Sequence, residues 1–216
     1  MTTAAAPTKR ARTRSGLLVA LQELLLDPDV STVSVPQVVG RVGAAQGTFY
    51  NYFDSLPEAV DAVGALILIE HTRVLQIVTA GAANPAEIVA RSARQTLMML
   101  VHRPEVGRLI FDSGLPVDRF ASGLRGHFHD DLRHGIDSGD FSVANFAVAS
   151  TVYTGTMIGA CLDLHRGLLT ADAVPDVVGH LLRTLGVSPG TAQRIINAPQ
   201  EFVQWAPIPL HAVEEV

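Results

Sequence analysis

The chain has 216 residues, 48% of them apolar and only 17% charged, which allows a sizeable buried core and excludes general disorder. One cysteine, Cys161, excludes an intramolecular disulfide and a thiol-built metal cluster, and reads as a small packing residue. The formal net charge of −5 excludes a uniformly basic surface, but Met1 to Gln22 carries +4 from Lys9, Arg10, Arg12 and Arg14, leaving −9 for the remainder.

No window reaches the roughly 18 uninterrupted apolar residues of a membrane span, and Met1 to Pro7 lacks the apolar centre of a secretory signal. The expectation is a cytoplasmic protein with no membrane partner. The basic N-terminus reads either as a solvated, flexible end or as an arm that neutralises phosphates.

Apolar residues recur three and four apart almost throughout and no long alternating run appears, so the predicted fold is all-α. A first helix is predicted from Lys9 to Leu26, turning Leu17, Leu18, Leu21, Leu24 and Leu25 inward and stopping at Asp27-Pro28. Two short helices follow. The second and fourth open alike: Ser34-Val-Pro-Gln37 and Ser55-Leu-Pro-Glu58 each set a serine three residues before Gln or Glu, with proline in the first turn. The fourth is predicted from Leu56 to Ala80, with Val60, Val63, Ile67, Val74 and Ile77 on one side. Further helices are predicted over Pro85 to His102, Pro104 to Ser113, Pro116 to Asp137, Val143 to His165, Asp172 to Leu185 and Pro189 to Ala198. Pro199 to Val216 reads as an extended tail anchored by Trp205.

Between the second and fourth helices lies Gly43-Ala-Ala-Gln-Gly-Thr-Phe-Tyr-Asn-Tyr-Phe53. Gly43 suits a sharp turn, and the helix after it is barely two turns long, so Ser34 to Phe53 has the helix, turn, helix plan of a major-groove reader. Phe49 and Phe53, four apart, are predicted to pack inward. Gln46, Thr48, Tyr50, Asn51 and Tyr52 are then available to a groove or a phosphate.

The run from Gly43 to Val60, and its Gly-Thr-Phe-Tyr-x-Tyr-Phe core above all, resembles the DNA-binding signature of the tetracycline-repressor (TetR) family. The resemblance implies a three-helix DNA-binding domain at 1–55 including the basic arm. A helical ligand-binding and dimerisation domain follows at 56–198, joined through the fourth helix, with the tail at 199–216. The turn Gly135-x-x-x-Gly139-Asp-Phe before a long helix agrees with that plan. It further implies a homodimer on a palindromic double-stranded operator and a small-molecule effector, with no cofactor.

Two positions depart from the family pattern. Ala45 stands where a capping serine is usual, a loss of roughly 1 kcal/mol if nothing replaces it. Leu56 stands where relatives carry a phosphate-touching lysine. Phosphate contacts are therefore expected from Arg41, Lys9, Arg10, Arg12 and Arg14 and from the hydroxyls of Thr48 and Tyr52. Gln46 and Asn51 have amides that match adenine edges, and Tyr50 suits thymine methyls.

His127-Phe-His129-Asp-Asp131 matches the start of a two-metal hydrolase run, and with His134 it offers an alternative reading as a metal-dependent hydrolase or metal sensor. On a helix, however, His127 and His129 point about 200° apart, so one metal cannot take both. No nucleophile elbow, phosphate loop or dinucleotide fingerprint occurs, which favours a regulator over an enzyme. Met98, His102, Phe111, Phe128, Tyr153 and Met157 are the candidates for an effector cavity, which would suit an apolar or amphipathic ligand. Small residues at Ala149, Gly155, Gly159 and Ala160, with the apolar run Val177 to Leu185, suggest close helix contact. By resemblance these two helices form the subunit interface.

Overall fold

The structure is a computed structural model that describes residues 8–115 and 117–211. Met1 to Pro7 of the predicted arm, Pro116 and residues 212–216 of the predicted tail lie outside the described residues. The chain forms α1 (Lys9–Leu26), α2 (Val35–Arg41), α3 (Gln46–Tyr50), α4 (Leu56–Thr79), α5 (Pro85–His102), α6 (Pro104–Phe111), α7 (Val117–Asp137), α8 (Phe146–His165), a 3-10 turn at Ala171–Ala173, α9 (Val174–Thr184) and α10 (Pro189–Ile196). The all-α fold expected from the periodicity is the fold observed.

Helix starts follow from local chemistry. At α2 the Gln37 side-chain oxygen accepts from the Ser34 N–H and hydroxyl, and at α4 the Ser55 hydroxyl accepts from the Glu58 N–H. Asn84 and Asn145 cap α5 and α8 in the same way, each satisfying a first-turn N–H that would otherwise lack a partner. Because Asn145 caps it, α8 begins at Phe146 and not at Val143. The end of α7 explains its glycines: Gly139 takes φ +79°, and a Cβ at Gly135 would lie 2.0 Å from Phe141, whose ring is buried there. The Phe141 N–H donates to the Gly135 carbonyl and closes the turn.

α2 packs against both α1 and α3, with Leu17, Leu18, Leu21 and Leu24 of α1 buried as expected and Leu25 half-buried. α4 leaves this group and joins α5, which lies at the centre of the larger bundle against α4, α7, α8 and α9. Val63, Ile67 and Val74 are buried in α4, but Ile77, predicted inward, is 49% exposed near the helix end.

Two helices, α4 and α8, are long and apolar enough in composition to cross a membrane. In α4 one side accounts for much of that character, because Val63, Leu66, Ile67, Val74 and Leu75 enter the core. α8 is apolar on every side, and Val148, Val152 and Leu162 stand at its surface beside Gly155 and Gly159, where an added Cβ would meet nothing.

Candidate nucleic-acid interface and interior cavity

The short helix α3 has too few residues to hold itself, so its position rests on two buried rings. Phe49 is 0% and Phe53 2% exposed, with ring centres 5.4 Å apart. Burying each is worth about 1.5–3 kcal/mol. Gly43, at φ +66°, reverses the chain between α2 and α3, a conformation that side chains with a Cβ resist. Gln46, Tyr50 and Asn51 consequently face outward, and Thr48 and Tyr52 are half-buried at the edge of the same surface. No side-chain bond caps α3 at Ala45, as its sequence implied.

The basic segment differs from an arm. Lys9, Arg10, Arg12 and Arg14 form the first turns of α1, capped by the Thr8 hydroxyl. Arg10 lies over the Tyr52 ring at 5.5 Å and Arg14 over the Phe53 ring at 5.2 Å, which sets both guanidinium groups beside α3. An arginine held over a ring keeps N–H donors for a phosphate. Arg41 is less available than its sequence position suggested: it pairs with Asp27 at 2.9 Å and Glu23 at 3.4 Å.

The six predicted effector residues are not gathered in one place. Phe128, Tyr153 and Met157, all buried, line a cavity of about 30 Å³ with Leu75, Thr96, His127 and Asp131. That volume holds about two waters. Phe128 and Tyr153 stack at 3.6 Å with rings nearly parallel. Met98 lines a separate cavity of about 170 Å³ with Gln95, Val174 and Phe202. His102 is exposed and lies against Phe202, and Phe111 stacks on His165, so neither reaches the Phe128–Tyr153 cavity.

Polar groups around that cavity are tuned by burial. Asp131 is raised above its ordinary value by burial, against the opposing pull of His127 and His134. Tyr153 is raised as well, and the Cys161 thiol is pushed up to about 12, as befits an inert packing residue. His71 on α4, fully buried, is lowered to about 3 by desolvation and by His127. Thr96 donates its hydroxyl proton to the Ser92 carbonyl, so His71 must donate from Nε2 to the Thr96 oxygen at 2.9 Å, leaving Nδ1 bare. Sequence reasoning missed His71, whose signal was a polar residue on the inward stripe of α4.

The histidine run does not converge. His127 turns Nδ1 to the Gly123 carbonyl and Nε2 to Thr72, whereas His129 turns Nε2 to Ser150. His134 is exposed, and among the described residues no three His, Cys, Asp or Glu side chains gather as metal ligands. The hydrolase or metal-sensor alternative loses its support, for the helical reason that residues two apart diverge.

The family model of the tetracyclin repressor-like C-terminal domain matches residues 84–198. No curated protein matches the chain. Among solved structures, RolR in complex with resorcinol is 24% identical, with a TM-score of 0.73 over 91% of this chain and 98% of that one. FadR from Bacillus subtilis in complex with stearoyl-CoA is 15% identical, with a TM-score of 0.65 over 78% of this chain and 97% of that one. NalD, the secondary repressor of the MexAB-OprM multidrug efflux pump in Pseudomonas aeruginosa, is 15% identical, with a TM-score of 0.64 over 82% and 98%. The RolR likeness, at 91% of this chain, reaches well beyond the matched C-terminal domain. The chain belongs to the tetracycline-repressor-like family of transcriptional regulators.

Proposed function

We propose that this regulator is a homodimeric repressor that leaves a palindromic operator when a small apolar or amphipathic effector enters the body. The observation that carries the DNA-binding part is α3 itself, where Phe49 and Phe53 are sunk in the core and Gln46, Tyr50 and Asn51 face out. Gln46 and Asn51 read adenine edges, Tyr50 packs on thymine methyls, and Thr48 and Tyr52 join Lys9, Arg10, Arg12 and Arg14 on phosphates. The reading-head unit is 1–55 and the ligand and dimer unit 56–198.

Support for the dimer comes from α8, whose Val148, Val152 and Leu162 are exposed along a flank that includes the open Gly155 and Gly159. Two copies joined there by a two-fold axis present two recognition helices, about one DNA turn apart on a palindrome. The effector cavity is placed at Phe128, Tyr153 and Met157. At about 30 Å³ it must widen to admit a ligand, and that widening gives the effector unequal affinity for two states, which is what coupling requires. RolR with resorcinol makes a small hydroxylated aromatic the first class to test, with the Asp131 carboxyl in the cavity wall as the group to bond its hydroxyl, since both His127 nitrogens are already engaged.

Selection of bound duplexes from random DNA tests the reading. The expected result is one enriched palindrome, bound about 5- to 150-fold more weakly by the Gln46→Ala protein, corresponding to 1–3 kcal/mol at one base. Unchanged affinity and sequence preference in that variant would remove Gln46 from base reading. Release of the palindrome by resorcinol, and loss of that release in Tyr153→Leu, tests the cavity separately.

A further inference from the structure

Residues 199–211 leave α10 and cross α5 and α4 to reach α1 without regular structure. Backbone drawn into a helical bundle has no ladder partner, so side chains must satisfy its N–H and C=O groups. Buried glutamines do this. Gln95 on α5 donates to the Val203 carbonyl at 2.9 Å and accepts from the Val203 N–H at 3.0 Å. Gln22 on α1, 0% exposed, does the same for Leu210 at 2.8 Å in both directions. Each amide acts as the edge of a neighbouring strand would. Between these clips Arg73 donates to the Gln204 carbonyl, Arg103 donates to the Trp205 carbonyl, and the Glu70 carboxylate accepts from the Ala206 N–H.

Neither DNA reading nor the Phe128–Tyr153 cavity uses Gln22 or Trp205, although both are buried. Trp205 lies 6.2 Å from His71, ring centre to ring centre. His71 in turn bonds Thr96 and lies 6.2 Å from His127, and both of those line the cavity. We propose that residues 199–211 form a strap that couples the cavity to α1, linking the packing around His71 and Trp205 to the seating of α1 through the Gln22–Leu210 clip. This adds a second connection to the one that α4 makes. Only its DNA arm rests on the repressor reading.

Linkage requires that a disturbance at either end of the strap be felt at the other. Amide hydrogen exchange on the full chain without DNA compares the native protein with Trp205→Ala and Gln22→Met. Trp205→Ala is expected to speed exchange severalfold at Leu17 to Leu26, and Gln22→Met to do so at Val203 to Ala206, while α8 and α9 keep their rates. Acceleration confined to the neighbours of each substitution overturns the proposal. If Trp205→Ala loosens every helix, Gln22→Met decides, since methionine keeps the bulk at that site. In the DNA arm, saturation with the selected duplex changes the emission of Trp205, the one tryptophan of the chain. That change is lost in Gln22→Met; the same change in both proteins counts against the strap. If no duplex is enriched, the repressor reading falls, and the exchange measurement still judges the strap.

Discussion

Lowering the pH from about 8 to about 5 bears directly on His71. In the folded protein this imidazole is enclosed by Thr96, Phe120, His127 and Trp205, and its pKa is lowered to about 3. In the unfolded chain it titrates near its ordinary value of about 6.5. Between those values the unfolded state binds the extra proton, so stability is present above about pH 6.5 and falls as the pH drops toward 3, at up to about 1.4 kcal/mol per unit. At about pH 5 the loss from this one group is roughly 2 kcal/mol, large against a typical domain stability of about 5–15 kcal/mol. Burial-raised Asp131 works in the opposite sense, while Glu70 and Asp112, both lowered, lose stability only as the pH falls below their ordinary values, 4.5 and 3.8. Urea unfolding at fixed protein concentration, at several pH values, measures the slope for the native protein and for His71→Gln, which keeps a donor for Thr96 but does not titrate. The native protein should lose about 2 kcal/mol more than the variant between about pH 8 and pH 5. Equal losses would refute the claim that His71 is held neutral.

Restoring a cap at α3 is expected to stabilise the reading head: Ala45 has the extended backbone of an N-cap, so Ala45→Ser should add about 0.5–2 kcal/mol in thermal or urea unfolding. Replacing Arg10 and Arg14 by glutamine should flatten the salt dependence of operator binding by about 0.9 in the log–log slope for each phosphate that the pair neutralises; an unchanged slope would exclude both arginines from the grip. Val152→Asp sets a carboxylate on the exposed apolar flank of α8, and light scattering should then find monomer where the native protein is a dimer. Phe49→Ala removes a fully buried ring and should cost about 3–5 kcal/mol, with loss of operator binding.

What the sequence made legible had local causes. Gly43, the Ser34 and Ser55 starts and the spacing of Phe49 and Phe53 act within a few residues, and the helix-turn-helix formed as those residues implied. Long helices were equally readable, because a stripe repeated over many turns outweighs any one residue. Their ends shifted where a cap decided, as Asn145 did for α8. The extended course of the tail and its Trp205 anchor were legible, but its route was not: an extended segment has no period, and its partners Gln22, Arg73 and Gln95 lie more than a hundred residues earlier. The available signal was a polar residue on an apolar stripe, which Gln22, His71 and Gln95 all provide. The cavity candidates fell into three neighbourhoods because a large apolar residue at helical spacing shows that it is buried but not beside what. Phe128 and Tyr153 meet only through the packing of α7 on α8.

Electrostatics explain why the first turns of α1 carry what they do. The N-terminal end of a helix bears partial positive charge, and cations there cost about 0.3–1 kcal/mol each where they are exposed. α1 nevertheless opens with Lys9, Arg10, Arg12 and Arg14 and has no acid in its first turn. The arrangement is unfavourable for an isolated helix and favourable beside an anion, because helix end and side chains then attract the same charge. The acids nearest in sequence lie toward the other end of α1, where Glu23 and Asp27 hold Arg41 back from the surface that α3 presents. One end of α1 thus carries four cations, and the other two acids that share the single cation Arg41. Gln22, which clips the strap, sits beside Glu23 on that acidic end, so a shift of the strap would act on the orientation of the charged turns without changing their charge.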